Sequence, residues 1–229
     1  MKGADERFIV IEGLDGSGKS TQIDLLLAEL KKRGRASEYL HFPRTGIGYY
    51  GDLVARFLRG DLGPLESVNP YLVALIYAGD RYDSRDQIRG WLERGVTVVA
   101  DRYVISNIAF QCAKLESAAE RKELRKWILD FEYDHHSIPR PDINIFLDVP
   151  FHFTERKLKS GREGADRAYL NGKLDIHEQD LEFQQKVRQV YLEQAALDPG
   201  MRVVNCAGPD NEMLPPGEVF FKIKNILFQ

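Results

Sequence analysis

Near the amino end, Gly13-Leu14-Asp15-Gly16-Ser17-Gly18-Lys19-Ser20 matches the pattern G-x-x-x-x-G-K-[ST]. These residue types at this spacing suit one task, the cradling of a polyphosphate. Glycines accept the positive φ of a tight loop and carry no Cβ to block a phosphate. Successive backbone N–H groups form an anion nest. A helix starting beneath them adds a partial positive charge. Lys19 then reaches the outer phosphates, Ser20 offers its hydroxyl to Mg²⁺, and Thr21 extends the binding run into the helix.

Further constellations lie where strands should end. Asp101-Arg102 follows the apolar run Val96–Ala100, a position from which a carboxylate can hold a metal ion or its water beside the glycine loop. Asp148 ends another apolar run and is the rival metal carboxylate, although a helix cap ahead of Pro150 is the favoured reading. Phe42-Pro43-Arg44 follows a shorter strand-like run. Tyr77 and Arg81 stand four apart on a predicted helix, so they share a face. Tyr77 reads either as core or as a base-stacking plane. Arg44, Arg81 and Arg102 together suggest a second anionic ligand, because clustered guanidiniums need compensation. Two facing phosphate sites imply phosphoryl transfer between nucleotides. Asp175-Ile176-His177-Glu178 reads as a first helical turn, and His177, with no partner histidine at i+4, reads as a solvated or packing residue rather than a metal ligand.

Elements must position these residues. Strand-like runs near 7–12, 37–42, 96–101, 143–148 and 201–206 alternate with helical patterns, which predicts an α/β fold: a five-stranded parallel sheet between two helical layers. Ile23, Leu26, Leu27 and Leu30 give the helix after the glycine loop its buried stripe. Other helices are predicted near 47–59, 69–94, 103–114, 117–136, 150–160, 176–197 and 216–227, the last docking Val219, Phe220, Ile223, Ile226 and Leu227. The polar, glycine-bearing stretch Lys159–Arg167 reads as a lid loop.

The 229 residues suffice for one α/β domain with a core. A formal charge of −3 gives no basic field for nucleic acid. Two cysteines, Cys112 and Cys206, fit a reducing cytoplasm, and no signal peptide or membrane span is expected.

From Phe8 to about Leu197 the sequence resembles the thymidylate kinases. The resemblance rests on the glycine loop with acidic Asp15, on Phe42-Pro43-Arg44, on Asp80-Arg81 and on Asp101-Arg102-Tyr103-Val104-Ile105-Ser106-Asn107-Ile108-Ala109-Phe110-Gln111. Arg140-Pro141-Asp142 and Glu178 add to it. It implies a P-loop kinase that moves the γ-phosphoryl of ATP to dTMP with Mg²⁺, on the way to dTTP, as a cytoplasmic homodimer. ATP would lie on Gly13, Leu14, Asp15, Gly16, Ser17, Gly18, Lys19, Ser20 and Thr21. Asp15 would hold the sugar 3′-hydroxyl and Tyr77 would stack on thymine. Arg81 would bond the base carbonyl and Asn107 the base edge. Arg44 and Arg102 would grip the acceptor phosphate, with Phe42 bordering the base and Glu178 near phosphate and sugar. Ser20 and Asp101 would serve the metal, and Lys19, Arg102 and Arg162 the chemistry. Gly16 inside the loop matches the bacterial-like variant, whose catalytic arginine sits in the lid (about 159–174), and Arg162 is the expected one. Ile176 and His177 depart from the common pattern. The adenine pocket is expected at Asn205–Asn211 by fold analogy. The competing readings are a kinase for another nucleoside or nucleotide acceptor, and a non-catalytic ATP sensor.

Overall fold

The computed structural model describes residues 7–65, 67–159, 170, 175–178 and 180–228. Strands β1 (Phe8–Gly13), β2 (Ser37–His41), β3 (Thr97–Asp101), β4 (Ile143–Asp148) and β5 (Met201–Asn205) pair in parallel in the order β2-β3-β1-β4-β5. The continuous apolar runs predicted for β1, β3 and β4 are the three inner strands, buried on both faces as parallel sheets require. Side-chain alternation divides the core in two. Phe8, Val10, Val98, Ala100 and Phe146 face one helical layer. Ile9, Ile11, Val99, Ile145 and Val204 face the other, where α1 (Lys19–Lys32) contributes Ile23, Leu26 and Leu30 and α9 (Pro216–Leu227) contributes Val219, Phe220 and Ile223.

The first layer holds α2 (Gly48–Leu58), α3 (Pro70–Asp83), α4 (Arg85–Glu93), α5 (Val104–Cys112), α6 (Ala118–Leu129) and α8 (Leu181–Leu197), while α7 (Phe151–Lys159) follows β4. Three expectations need correction. The helix predicted over 69–94 breaks at Ser84, whose hydroxyl donates to the Arg81 carbonyl at 2.8 Å and competes with the helical amide. The helix predicted over 117–136 ends as α-helix at Leu129 and continues as a π-helical turn, Asp130–His135. Residues 176–178 form a turn, and α8 begins only at Leu181, where Asp180 Oδ1 accepts the Phe183 N–H at 2.9 Å as a cap.

The register aligns the strand ends. Ile11 and His41 both lie opposite Asp101, and Gly13 lies opposite Leu147. The carboxyl ends of β1, β2, β3 and β4 thus open on one side, where open α/β sheets place their ligands. Among the described residues no helix is long and apolar enough to cross a membrane.

Candidate active site

The loop between β1 and α1 turns on Gly16 and Gly18, with φ of 75° and 83°. A side chain is strained in that left-handed region. Lys19 Nζ donates to the Gly13 and Leu14 carbonyls at 3.4 and 3.2 Å and stands 3.9 Å from Asp101 Oδ1. Gly13 and Leu14 therefore anchor the lysine, while Asp15 through Thr21 line a wide crevice. Asp101 Oδ2 lies 3.3 Å from His41 Nδ1, and its buried Oδ1 has no hydrogen-bond partner. Burial pushes the Asp101 carboxyl up, but Lys19, His41 and Arg102 together outweigh it and hold it below its ordinary value. An ionised carboxylate with an unsatisfied oxygen, near the exposed Ser20, fits a hard cation. Among the described residues no cluster of three or more His, Cys, Asp or Glu could hold a metal by itself.

Phe153, Lys157 and Met213–Pro216 also line this crevice. The expected wall, Asn205–Asn211, lies elsewhere. Lys222 Nζ donates to the Asn205 carbonyl at 2.7 Å, and Asn205 Oδ1 accepts the Ala207 N–H at 2.8 Å. The chain then doubles back through the Ala207–Met213 bridge and brings Met213–Pro216 forward.

A second cavity adjoins the first. Asp15, Phe42, Tyr77, Arg81, Arg102, Asn107 and Glu178 all line it, together with Phe110, Gln111 and His177. Arg44 does not; it lines the wide crevice instead. The arginine cluster does not carry the uncompensated repulsion expected from sequence, because each guanidinium has its own carboxylate. Arg44 Nε meets Asp80 Oδ1 at 2.9 Å, Arg81 forms a bidentate pair with Glu132 at 2.5 and 2.7 Å, and Arg102 Nη2 meets Asp15 Oδ1 at 3.0 Å. The pairing fixes the forks in place rather than leaving them to be ordered by an incoming anion.

Behind Arg102 stands Glu12, which sequence reasoning missed. It is fully buried at the end of β1. Oε1 accepts the Tyr103 and Ser106 N–H groups at 3.0 and 3.3 Å. Oε2 accepts the Ser106 and Tyr191 hydroxyls at 2.5 and 3.0 Å. Arg102 Nη1 in turn donates to those hydroxyl oxygens at 3.2 and 3.3 Å. Burial raises the Glu12 pKa, and these hydrogen bonds with the Arg102 charge only partly offset it. One charge closing the run Phe8-Ile9-Val10-Ile11-Glu12 was the available signal, since a carboxylate in a buried strand must be paired.

Of the two readings left open for His177, solvated or packing, the structure gives packing. His177 sits among Phe57, Phe110 and Phe183, and burial, aided by Lys114, holds its pKa down to about 3. Asp148 neither caps a helix nor awaits a metal; Arg188 of α8 takes both its oxygens, at 2.6 and 2.9 Å. Both cysteines are free and buried. Arg162, Arg167 and nearly all of the expected lid lie outside the described residues.

A P-loop that turns into a helix, a strand-end carboxylate beside its lysine and an adjoining cavity of paired arginines define a P-loop nucleotide kinase with a separate acceptor pocket. The sequence profile of thymidylate kinase matches residues 11–213. Thymidylate kinase of Mycobacterium tuberculosis is 33% identical over 215 residues, covering 88% of this chain and 98% of that protein. The Schizosaccharomyces pombe enzyme is 32% identical over 84% of this chain and 83% of its own length. A solved thymidylate kinase structure from Candida albicans superposes with a TM-score of 0.70 at 26% identity, covering 97% of this chain and 91% of that one. The chain belongs to the thymidylate kinase family. It is a transferase that moves the γ-phosphoryl of ATP to dTMP, giving ADP and dTDP. Neither another acceptor nor a non-catalytic sensor is favoured.

Proposed function

We propose that ATP occupies the wide crevice and dTMP the adjoining cavity, so that the phosphoryl group passes between them at Asp15 and Arg102. One observation carries this reading: the two hollows share Asp15 and Arg102 as common wall. In this arrangement the amides of Gly16–Thr21 and Lys19 hold the donor phosphates. Tyr77 stacks on thymine, Arg81 and Asn107 take the base edge, Phe42 borders the base, and Asp15 and Glu178 serve the sugar. Arg102 reaches the acceptor phosphate. Arg44, latched to Asp80 at the crevice wall, approaches the same phosphate. The acceptor oxygen is already an anion, so no general base is required. What remains is to position two polyanions in line and to offset the charge on the equatorial oxygens.

Ser20 and Asp101 would hold Mg²⁺, which supplies positive charge to the donor phosphates. A lid arginine, Arg162, would add charge to the transferring phosphoryl, and closure of the lid would exclude water. Phe153, Lys157 and Met213–Pro216 form the adenine wall. The chain works as a single domain in the cytoplasm, consistent with its free cysteines. It pairs as a homodimer through the exposed apolar face of α3. Nucleic acid and membranes are not its partners.

A coupled assay across dTMP, dUMP, dCMP, dAMP and thymidine tests the assignment of the pocket. The expected order places dTMP first. Phosphorylation of thymidine with dTMP ignored would overturn the placement of an acceptor phosphate at Arg102.

A further inference from the structure

Arg81 and Asn107 face the acceptor cavity, yet neither sets its own orientation. Both are held by Glu132, which is fully buried and lies outside the cavity wall. Arg81 Nε and Nη2 donate to Glu132 Oε2 and Oε1 at 2.5 and 2.7 Å, and Nη1 takes no part in that pair. Asn107 Nδ2 donates to the same Oε1 at 3.0 Å and to the Ala74 carbonyl at 3.0 Å. Both amide hydrogens are thus engaged, and Asn107 Oδ1, buried without a partner, is left as an acceptor. A flipped amide would set Oδ1 against a carboxylate oxygen. The π-helical turn supplies the carboxylate: the His136 N–H reaches back five residues to the Phe131 carbonyl at 2.9 Å, and Glu132 lies inside that turn. Burial disfavours the Arg81 charge, but Glu132 outweighs it and raises the Arg81 pKa.

We infer that Glu132 is the positioning residue that sets pyrimidine selectivity, by fixing Arg81 as donor and Asn107 as acceptor toward the base. The inference rests on the reading that Arg81 and Asn107 meet the acceptor base. Thymine and uracil present an O4 acceptor beside an N3–H donor, which this pair complements. Cytosine reverses both, with an amino donor at C4 and a lone pair at N3. Glu132 touches no substrate and acts only through its two partners.

The substitution Glu132→Gln replaces one acceptor oxygen by a donor. It breaks the bidentate grip on Arg81 and gives Asn107 Oδ1 an amide to turn toward. The test is steady-state kinetics of the full-length enzyme with dTMP, dUMP and dCMP at saturating ATP, for the wild type, E132Q, R81Q and the double variant. The kcat/KM ratio of dTMP over dCMP is expected to fall at least about tenfold in E132Q, mainly through KM, because a mismatched polar site loses its discrimination. The ratio of dTMP over dUMP stays unchanged, since those bases share the edge. R81Q collapses the dTMP over dCMP ratio as well, and E132Q adds nothing to it in the double variant. An unchanged ratio in E132Q, with R81Q collapsed, overturns the role of Glu132 alone. An unchanged ratio in R81Q overturns the underlying reading of Arg81, and the inference with it. Should E132Q not fold, E132D carries the test. Its carboxylate is one methylene short of holding both partners, so the ratio must fall at least about threefold, and an unaltered ratio overturns the proposal.

Discussion

Arg102 adopts φ 66°, a left-handed backbone unusual for a side-chain-bearing residue. The surrounding network over-determines that geometry: Asp15, Ser106 and Tyr191 hold the guanidinium, and its own N–H donates to Ile11 O at 3.0 Å. Burial opposes the Arg102 charge, yet Asp15 and its neighbours raise its pKa further, so the charge persists across the working pH range. His177 is the opposite case. Its folded pKa of about 3 lies below the ordinary 6.5, so the unfolded chain binds the proton first as pH falls. Its contribution to stability is full above pH 6.5 and is lost progressively toward pH 3. Near pH 5 that loss is about 2 kcal/mol. Urea unfolding of the wild type and of His177→Phe at pH 7.5 and 5 checks it: the variant should lose less stability on acidification by about that amount. An equal loss in both proteins would return the acid sensitivity to other groups. The glycine loop and Asp101-Arg102 were legible because their chemistry is contiguous in sequence. Glu132 and Tyr191 were not, because they meet their partners across 25 or more residues, and only the closed fold brings them together.

At the scale of elements, α2 and α3 carry the loop and the helix face that bound the acceptor cavity. Gly51 of α2 is buried where a Cβ would fall 2.3 Å from the Arg44 carbonyl oxygen. That oxygen is backbone, so it cannot swing away as a side chain would. The same carbonyl accepts the Ile47 N–H at 3.0 Å, and Arg44 itself is latched to Asp80 through Nε, its backbone N–H and Nη2. Gly51→Ala should therefore move the Phe42–Ile47 loop against α3. The expected cost is about 1–2 kcal/mol, the overpacking penalty less the gain of alanine in a helix. Chemical denaturation measures the stability, and a raised dTMP KM reports the displaced loop. A more stable variant with wild-type kinetics would show that the two elements are not rigidly engaged. Periodicity gave the sheet and most helices, since burial on one face leaves a 3.6-residue signature. The break at Ser84 and the π-helical turn escaped it. Ser84 is compatible with helix by propensity, and its back-bond to Arg81 is a choice made by packing. A π turn leaves the apolar spacing nearly intact while it reorients one carboxylate.

For the whole molecule, α3 lies between two surfaces. Its inner face gives Tyr77 and Arg81 to the cavity and Val73 and Ala74 to the core. Its outer face exposes Leu72, Leu75 and Tyr82 at helical spacing, and Ile47 just before α2 and Tyr49 in its first turn add to it, the latter 90% exposed. Scattered apolar residues on a surface are ordinary, but a stripe joined across two adjacent helices marks an interaction face. A second copy of the chain is the proposed occupant, which would place acceptor cavities just behind a shared interface. Sedimentation of the wild type at tens of micromolar should give twice the chain mass, and Leu72→Asp with Leu75→Asp should give the single-chain mass. If subunit contact stabilises the fold, the wild-type Tm rises with protein concentration and the variant's does not. Each kcal/mol of lost contact should lower Tm by about 2–4 °C. The dTMP KM should rise with dissociation while the ATP KM holds, because α3 borders the acceptor cavity and not the P-loop crevice. A wild type that sediments as a single chain would remove the dimer, and a variant that dissociates with both KM values intact would uncouple the interface from the site.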